Sequence, residues 1–461
     1  MIAPFDYGIS IESDRVPEPL NITFAVTDLD IYEHIDLPFL TAKMALLDEQ
    51  NFFERFDILG GEKVTVSLRS RKDKEPMNSK AEIKLIKKIF FISSVKSSHR
   101  GDDNRAQTIL FNMIEDVGFN SNLLNLNKVY KGKCSDIIKK ITSNFLGREV
   151  DTEGKDIQNL KVIVPNLSPL NGCLWLTNRA TTVEGYPFFF YSTLVDKNLQ
   201  FNDLGTLMLD RQPANPTDDN GDAPTFKYSK ALSGSNDVSA FNTIYDYQHR
   251  NTENLFDLIK KGSIGSKQQF INSSGSSTIA NQSFDFDISG DTLDAFAAKL
   301  PNKQTRPLYD KAFGFNDKKS RTITQFGGSN SHRTTKSSTF DLSYSESLNL
   351  AQYKNGVKSQ AYYNLMHKSP LIFSATGLHF MDGLHNNTLG RKINLEFLPT
   401  DQFDVPEQKD RKFSGEYLII RAQHVIKRER YDITFTGARF SNMEIPEAKA
   451  PTNAMPGRTV Q

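Results

Sequence analysis

One arrangement of strands and turns occurs twice in this chain, and it constrains the fold more than any other feature. Gly61–Leu68 reads GEKVTVSL and Gly390–Phe397 reads GRKINLEF. In each, a glycine supplies a turn and alternating apolar residues follow: Val64, Val66 and Leu68, or Ile393, Leu395 and Phe397. Alternation is the period of a strand with one buried face. Downstream, Lys88–Ser94 (KIFFISS) aligns with Glu416–Ala422 (EYLIIRA), and each leads through a polar turn to a second strand, TILFN or DITFT. Gly61 to Ile92 is 31 positions and Gly390 to Ile420 is 30, so the alignment sets Ile92 against Ile420. This order, met twice, predicts a duplicated small β-barrel or barrel-like sandwich, one copy at each end of the chain. Tyr417, Ile419, Tyr431, Ile433 and Phe435 are expected on the buried face of the closing hairpin. A hairpin comes last because the final strand of a closed barrel removes the sheet's open edge.

At 461 residues the chain has room for two to four domains. Hydrophobic residues make up 38%, with 33 Phe and 15 Tyr, which is the composition of a globular protein. The formal net charge of +1 gives no overall field to recruit nucleic acid or an anionic membrane. Two cysteines, Cys134 and Cys173, cannot build a disulfide framework or a four-cysteine zinc site, and they fit a reducing compartment. MIAPFDYGIS lacks the pattern of a signal peptide, and the longest apolar stretches are too short to span a bilayer.

Along the chain, NITFAV alternates Ile22, Phe24 and Val26 as a half-buried strand would, and FLTAKMALLD, KKIFFISSVKSS and QTILFNM read as further strands. The period then changes. CSDIIKKITSNFLG places Ile137, Ile138, Ile141 and Phe145 on one helical face, with Ser135 as its cap and Gly147 as its stop. A second helix starts at Ser168-Pro169, and PFFFYSTLVDKNLQF reads as a hairpin turning at Asp196–Asn198. Residues 210–235 read as a Pro-rich linker, and 262–340 are rich in Ser, Gly and Asn. SESLNLAQYKNGVKSQAYYNLMHK carries a helical reading despite Asn355-Gly356.

Catalytic patterns fail on inspection. His379, Asp382 and His385 lie close in HFMDGLH, but the segment reads as strand then turn, where three side chains diverge from any metal. His424 sits within a strand, where bonding a neighbour is expected of it. The run Asp218–Asp222 lacks the closing glutamate of a calcium loop. GSIGSK has the wrong glycine spacing for a phosphate loop, and neither G-x-S-x-G nor H-E-x-x-H occurs. No catalytic, metal or cofactor site is expected.

Three places in the chain together resemble a known family. They are FDILGGEKVTVSL; VYKGKCSDIIKKITSNFLG followed by LNGCLWLTNRATTVEGYPFFFYSTLVDKNLQF; and FSGEYLIIRAQHVIKRERYDITFTGARF. In this order they resemble the central hub proteins of contractile phage baseplates, the hub portions of type VI secretion spikes and the phage late-control proteins. The resemblance covers about half the chain, and residues 262–340 match none of its pattern.

The fold class it implies is mainly β with α+β insertions: two tail-tube-like β-barrel domains per chain plus a connecting α/β region. The expected divisions are 1–120 for the first barrel, 121–210 for the connecting domain, and 211–369 for a linker and Ser/Gly-rich insertion that can lend strands to the second barrel. The closing hairpin region of the second barrel follows at 370–446 and a flexible tail at 447–461. The implied function is a non-enzymatic virion protein, a trimeric pseudo-sixfold ring joining tail tube to central spike in a phage tail baseplate. Its implied partners are two further copies, the tail tube ring, the central spike, and wedge or tape-measure proteins, with DNA only as transiting cargo. Thr65, Ser67, Asn394 and Glu396 are the channel-facing candidates, because they alternate with the core positions. The competing readings are a virion-borne wall or polysaccharide hydrolase and a receptor- or carbohydrate-binding tail protein.

Overall fold

The computed structural model describes residues 5–15, 18–70, 85–100, 106–157, 159–208, 225–228, 243–250, 255–260, 266–272, 282–286, 306–307, 321–327, 350–377, 389–398, 409–410, 412–428 and 430–442. The first part is a sheet of β1 (Phe5–Glu12), β2 (Leu20–Asn21), β3 (Val26–His34), β4 (Thr41–Asp48), β5 (Lys63–Ser70), β6 (Ile86–Arg100) and β7 (Gln107–Glu115), with the short helix α1 (Phe52–Phe56) between β4 and β5. Its order is β2-β1-β5-β6-β7-β4-β3. NITFAV departs from its strand reading. Ile22–Ala25 form a turn and Phe24 is exposed, because the ladder with β4 begins only at Val26.

A helical unit follows, made of α2 (Asp116–Asn122), β8 (Val129–Lys133), α3 (Cys134–Leu146), β9 (Val150–Asp151), β10 (Asn159–Ile163), α4 (Pro169–Thr177), β11 (Phe188–Tyr191), β12 (Leu199–Asp203) and α5 (Leu204–Met208). Ile137, Ile138 and Ile141 of α3 share a separate core with Cys173, Leu176, Phe190 and Phe201. Gly147 ends α3 in the left-handed region at φ 59°, as its sequence suggests. Ser135 does not cap it. The cap position is Lys133, and the Ser135 hydroxyl bonds Asp156 at 2.6 Å.

The last part is a closed six-stranded barrel. Its strands are β13 (Thr225–Tyr228), β14 (Thr243–His249), β19 (Leu371–Thr376), β20 (Lys392–Glu396), β21 (Gly415–Lys427) and β22 (Tyr431–Ala438), and β21–β22 pairing closes the circle β21-β20-β13-β14-β19-β22. Between β14 and β19 come α6 (Leu255–Lys260), β15 (Ser266–Asn272), β16 (Gln282–Phe286), β17 (Arg306–Pro307), β18 (Arg321–Gly327) and α7 (Leu350–Met366). β16, β15 and β18 form a small sheet of their own, and β17 pairs with β23 (Ser441–Asn442). Two barrel strands, β13 and β14, therefore come from the 211–369 segment, and the stretch expected to be a bare linker contributes Thr225–Tyr228 to the barrel wall.

The two sheets share a strand order. β1, β3, β4, β5, β6 and β7 occupy the places that β13, β14, β19, β20, β21 and β22 occupy in the barrel. The correspondence extends to individual bonds. Gly61 N donates to Ile92 O at 2.7 Å and Ile92 N to Glu62 O at 3.0 Å; Gly390 N donates to Ile419 O at 2.9 Å and Ile419 N to Arg391 O at 3.0 Å. Both glycines have positive φ, 96° and 78°. Ile92 thus corresponds to Ile419 and not to Ile420. The sequence alignment is one residue out: the span from glycine to the matching isoleucine is 31 positions in the first copy and 29 in the second, and Ser93 and Ile420, each the extra residue of a β-bulge directly after it, correspond as well. The copies differ in two ways: β1 runs antiparallel to β5 whereas β13 runs parallel to β20, and β13 pairs with β14 whereas among the described residues no ladder joins β1 to β3.

Candidate assembly site

The eleven core candidates, Val64, Val66, Leu68, Ile393, Leu395, Phe397, Tyr417, Ile419, Tyr431, Ile433 and Phe435, are all buried in one cluster that spans both sheets. The alternate positions form the outer face. Thr65 lies opposite Ser10 and Ser67 opposite Gly8, flanked by Lys63–Glu12 at 2.9 Å and Arg69–Asp6 at 3.3 Å. On the second copy, the Asn394 amide donates to Thr225 Oγ1 at 3.2 Å, and Glu396 pairs with Lys409 and, at 3.7 Å, with Lys227. Thr65 itself is buried, whereas Ser67, Asn394 and Glu396 are half-buried. Cations stand on this face, most of them beside a carboxylate, while Lys87 is exposed opposite Ser67.

The two sheets meet through β21. Along one edge its first residues, Gly415–Leu418, pair with β20, and after the bulge Arg421–Lys427 pair antiparallel with β3 from His34 to Asp28. One strand therefore belongs to both sheets. Leu29 and Ile31 of β3 and Ile426 of β21 are fully buried at this seam. At its centre Glu33 and His424, both without solvent exposure, lie 3.4 Å apart. Glu33 Oε1 accepts from Leu194 N, in the loop between β11 and β12, and His424 Nδ1 shares a hydrogen bond with Tyr431 OH at 2.8 Å. Burial, then the nearby Glu33, pushes the Tyr431 hydroxyl well above its ordinary range. The expectation that His424 bonds a neighbour holds.

A second polar group sits at the end of the seam. Asp36 accepts from Tyr363 OH of α7 at 2.8 Å, and His34 Nδ1 accepts the Asp36 backbone N–H at 3.0 Å. Burial, with the Arg421 guanidinium next, pushes His34 down to about 4, so the ring is neutral at pH 7. Glu115 ties β7 to the helical unit. It accepts from Leu40 N at 2.8 Å and from Ser192 Oγ at 3.1 Å, and it pairs with Lys88 at 3.2 Å. Lys88 also donates to Asp196 O at 2.9 Å. None of Glu33, His34, Asp36, Glu115 or Arg421 stands out in the sequence. Glu33, placed between the apolar Ile31 and Ile35, is the sole hint of a buried carboxylate.

Among the described residues no group of three His, Cys, Asp or Glu side chains is placed to hold a metal, and no helix is long and apolar enough to cross a membrane. His379, Asp382, His385 and Asp218–Asp222 lie outside the described residues. Cys134 and Cys173 are fully buried, and burial pushes the Cys173 thiol up, which favours packing over reactivity.

No protein-family model and no curated protein matches this sequence. Solved structures do. The 43 kDa tail protein of prophage MuSo2 from Shewanella oneidensis is 10% identical, with a TM-score of 0.50 over 94% of this chain and 98% of that one. The tail protein from Neisseria meningitidis MC58 is 13% identical, with a TM-score of 0.48 over 94% and 96%. An E. coli component of the type VI secretion system, itself described as similar to T4 bacteriophage tail proteins, is 9% identical, with a TM-score of 0.42 over 94% and 77%. The Shewanella match spans both sheets and the helical unit between them, and it gives this chain the fold of a phage tail protein.

Proposed function

We propose that this chain is a structural hub of a contractile tail baseplate. Three copies form a pseudo-sixfold ring that joins the sixfold tail tube to a threefold central spike and surrounds the channel through which DNA passes. The observation that carries this reading is the presence in one chain of two sheets that share one order of six strands, joined edge to edge through β21 and β3. Two such units per chain are what three chains need to present six near-equivalent units around an axis. The divisions 1–120 and, with β13 and β14 added, 370–446 are the two tube-like units, and 121–210 connects them.

The outer-face positions Thr65, Ser67, Asn394 and Glu396 are the proposed channel wall. Of the cations beside them, Lys63 and Arg69 pair with Glu12 and Asp6, Lys227 and Lys409 share Glu396, and Lys87 stands exposed opposite Ser67. A wall whose cations are mostly held by carboxylates holds a polyanion weakly, because phosphate affinity grows with the number of cations free to neutralise it. The role is one of assembly, with no reaction. Light scattering with and without tube or spike partners, followed by imaging, tests it. A ring of three chains with an axial hole is expected; a monomer in every state, with no hole, overturns it.

A further inference from the structure

The internal repeat leaves one edge on each sheet whose counterpart is paired inside the chain. In the barrel, β21 passes its bulge and uses Arg421–Lys427 to pair with β3. Its counterpart β6 pairs with β5 only through Ile86–Phe91. Beyond the bulge at Ser93 the same edge of β6 runs on from Ser94 to Arg100, and among the described residues no strand pairs with it there. Ser94, Lys96, Ser97, Ser98 and His99 are exposed. The counterpart of β3 is β14. It pairs with β19 on one side and, on the other, meets β13 only at Thr243 and Ile244. The edge from Asp246 to His249 has no paired strand among the described residues, and Asp246 and Gln248 are exposed. Long unpaired strand edges are templates for another chain, and proteins that keep them monomeric blunt them with bulges, proline or charge. β6 keeps seven residues of open edge whose one lysine, Lys96, sits at the bulge between Val95 and Ser97.

We propose that the β6 edge of one copy pairs antiparallel with the β14 edge of a second copy, reproducing between chains the β21–β3 joint made within each chain. The occupant is a second copy because the chain already contains the joint that the two free edges would form. The register follows from the repeat. Ser98 corresponds to His424, since they face Ile109 and Ile433 on the equivalent strands β7 and β22. His249 corresponds to Ile31, since they face Leu371 and Ala42 on β19 and β4. His424 pairs with Ile31, so Ser98 meets His249, Ser97 meets Arg250 and His99 meets Gln248. Asp246 takes the place of Asp28, which pairs with Lys427 at 3.1 Å in the chain, and Arg100 falls one position before the counterpart of Lys427. The contact joins unlike edges, so each copy uses one edge toward each neighbour and repetition leads round a ring. This pairing rests on the proposed hub function.

Cysteine cross-linking tests the register. The native cysteines are buried and give no background. The double variant S97C/R250C, oxidised at concentrations where light scattering finds the trimer, is expected to give linked dimers and trimers and nothing larger. The mismatched pair S94C/R250C, three residues along β6 from the expected partner, is expected to link at least tenfold less. A trimer in which S97C/R250C does not link, or links no better than the mismatched pair, overturns the edge pairing and leaves the ring standing. A chain that is monomeric at every concentration, with and without tube or spike partners, overturns the ring and this pairing with it.

Discussion

Gly61 and Gly390 occupy one position of the repeat, yet substituting them should have different consequences. Both adopt positive φ, and both donate their N–H to the partner isoleucine. An alanine Cβ at Gly61 would meet nothing within 4 Å, so Gly61→Ala carries only the backbone strain, about 1 kcal/mol. A Cβ at Gly390 would meet the Tyr191 hydroxyl at 2.3 Å and its ring carbon Cζ at 2.8 Å. Tyr191 is fully buried in the helical unit and cannot swing aside. Overpacking of this kind adds about 1–3 kcal/mol, so Gly390→Ala should cost about 2–4 kcal/mol in total. At about 2 °C per kcal/mol, thermal unfolding should fall by about 2 °C for the first variant and about 4–8 °C for the second. Adding Tyr191→Phe removes the hydroxyl and should be less than additive with Gly390→Ala, by about 1 kcal/mol in a double-mutant cycle. Equal losses at the two glycines, or full additivity with Tyr191→Phe, would refute the account of the Tyr191–Gly390 packing.

The seam gives further predictions. Glu33→Ala removes the carboxylate that Leu194 N and His424 face without solvent, so a loss of about 3–5 kcal/mol is expected, with Glu33→Gln milder; near-equal unfolding midpoints for wild type and Ala variant would count against the seam. His34 has a folded pKa of about 4 against about 6.5 unfolded. A depressed folded pKa means its contribution is fully present above pH 6.5 and is lost as pH falls toward 4, about 1.5–2 kcal/mol of it by pH 5. Urea unfolding at pH 7 and pH 5 should show that drop in the wild type and less of it in His34→Gln; identical pH slopes would exclude the assignment. Truncation before Phe413 deletes β21 and β22, opens the barrel and removes the partner of β3, so insoluble protein is expected; a soluble trimeric product would contradict the closing role of the hairpin.

The sequence made the core legible and left the seam hidden, for a physical reason. Core positions announce themselves through alternation, which is a local property: Val64, Val66 and Leu68 need no knowledge of the partner strand. Gly415–Ile420 are all buried, so alternation gives no register there, and Ile92 aligns with Ile420 although its hydrogen bonds match those of Ile419. β13 was read as linker because four residues carry too little pattern to mark a strand, and its placement is decided by β20 and β14 on either side. Glu33, His34, Asp36 and Arg421 are polar residues whose partners lie far along the chain, on Leu194, Tyr363 and β3. Apart from the apolar neighbours Ile31 and Ile35 that flank Glu33, nothing local marks them.

The two copies also differ where an undivided repeat would not, and the differences bear on assembly. A single barrel unit with both edges free could build a sixfold ring from six identical chains. Here one of the two joints is made inside the chain, between β21 and β3, which among the described residues leaves one unpaired edge of each kind, on β6 and on β14. In the proposed ring the fusion would halve the number of associations needed, and the inserts between the barrel strands would appear three times instead of six. Whether the steps close depends on one quantity, the rotation between units set by the β21–β3 joint. If the joint between chains repeats the joint within them, six steps of about 60° close a ring of three chains, another angle that divides the circle closes a ring of another size, and an angle that does not close gives an open helical filament. Imaging of the assembled protein therefore discriminates directly: closed rings of three chains support a common joint of about 60°, while filaments or rings of another size would mean that the joints do not both turn by about 60°.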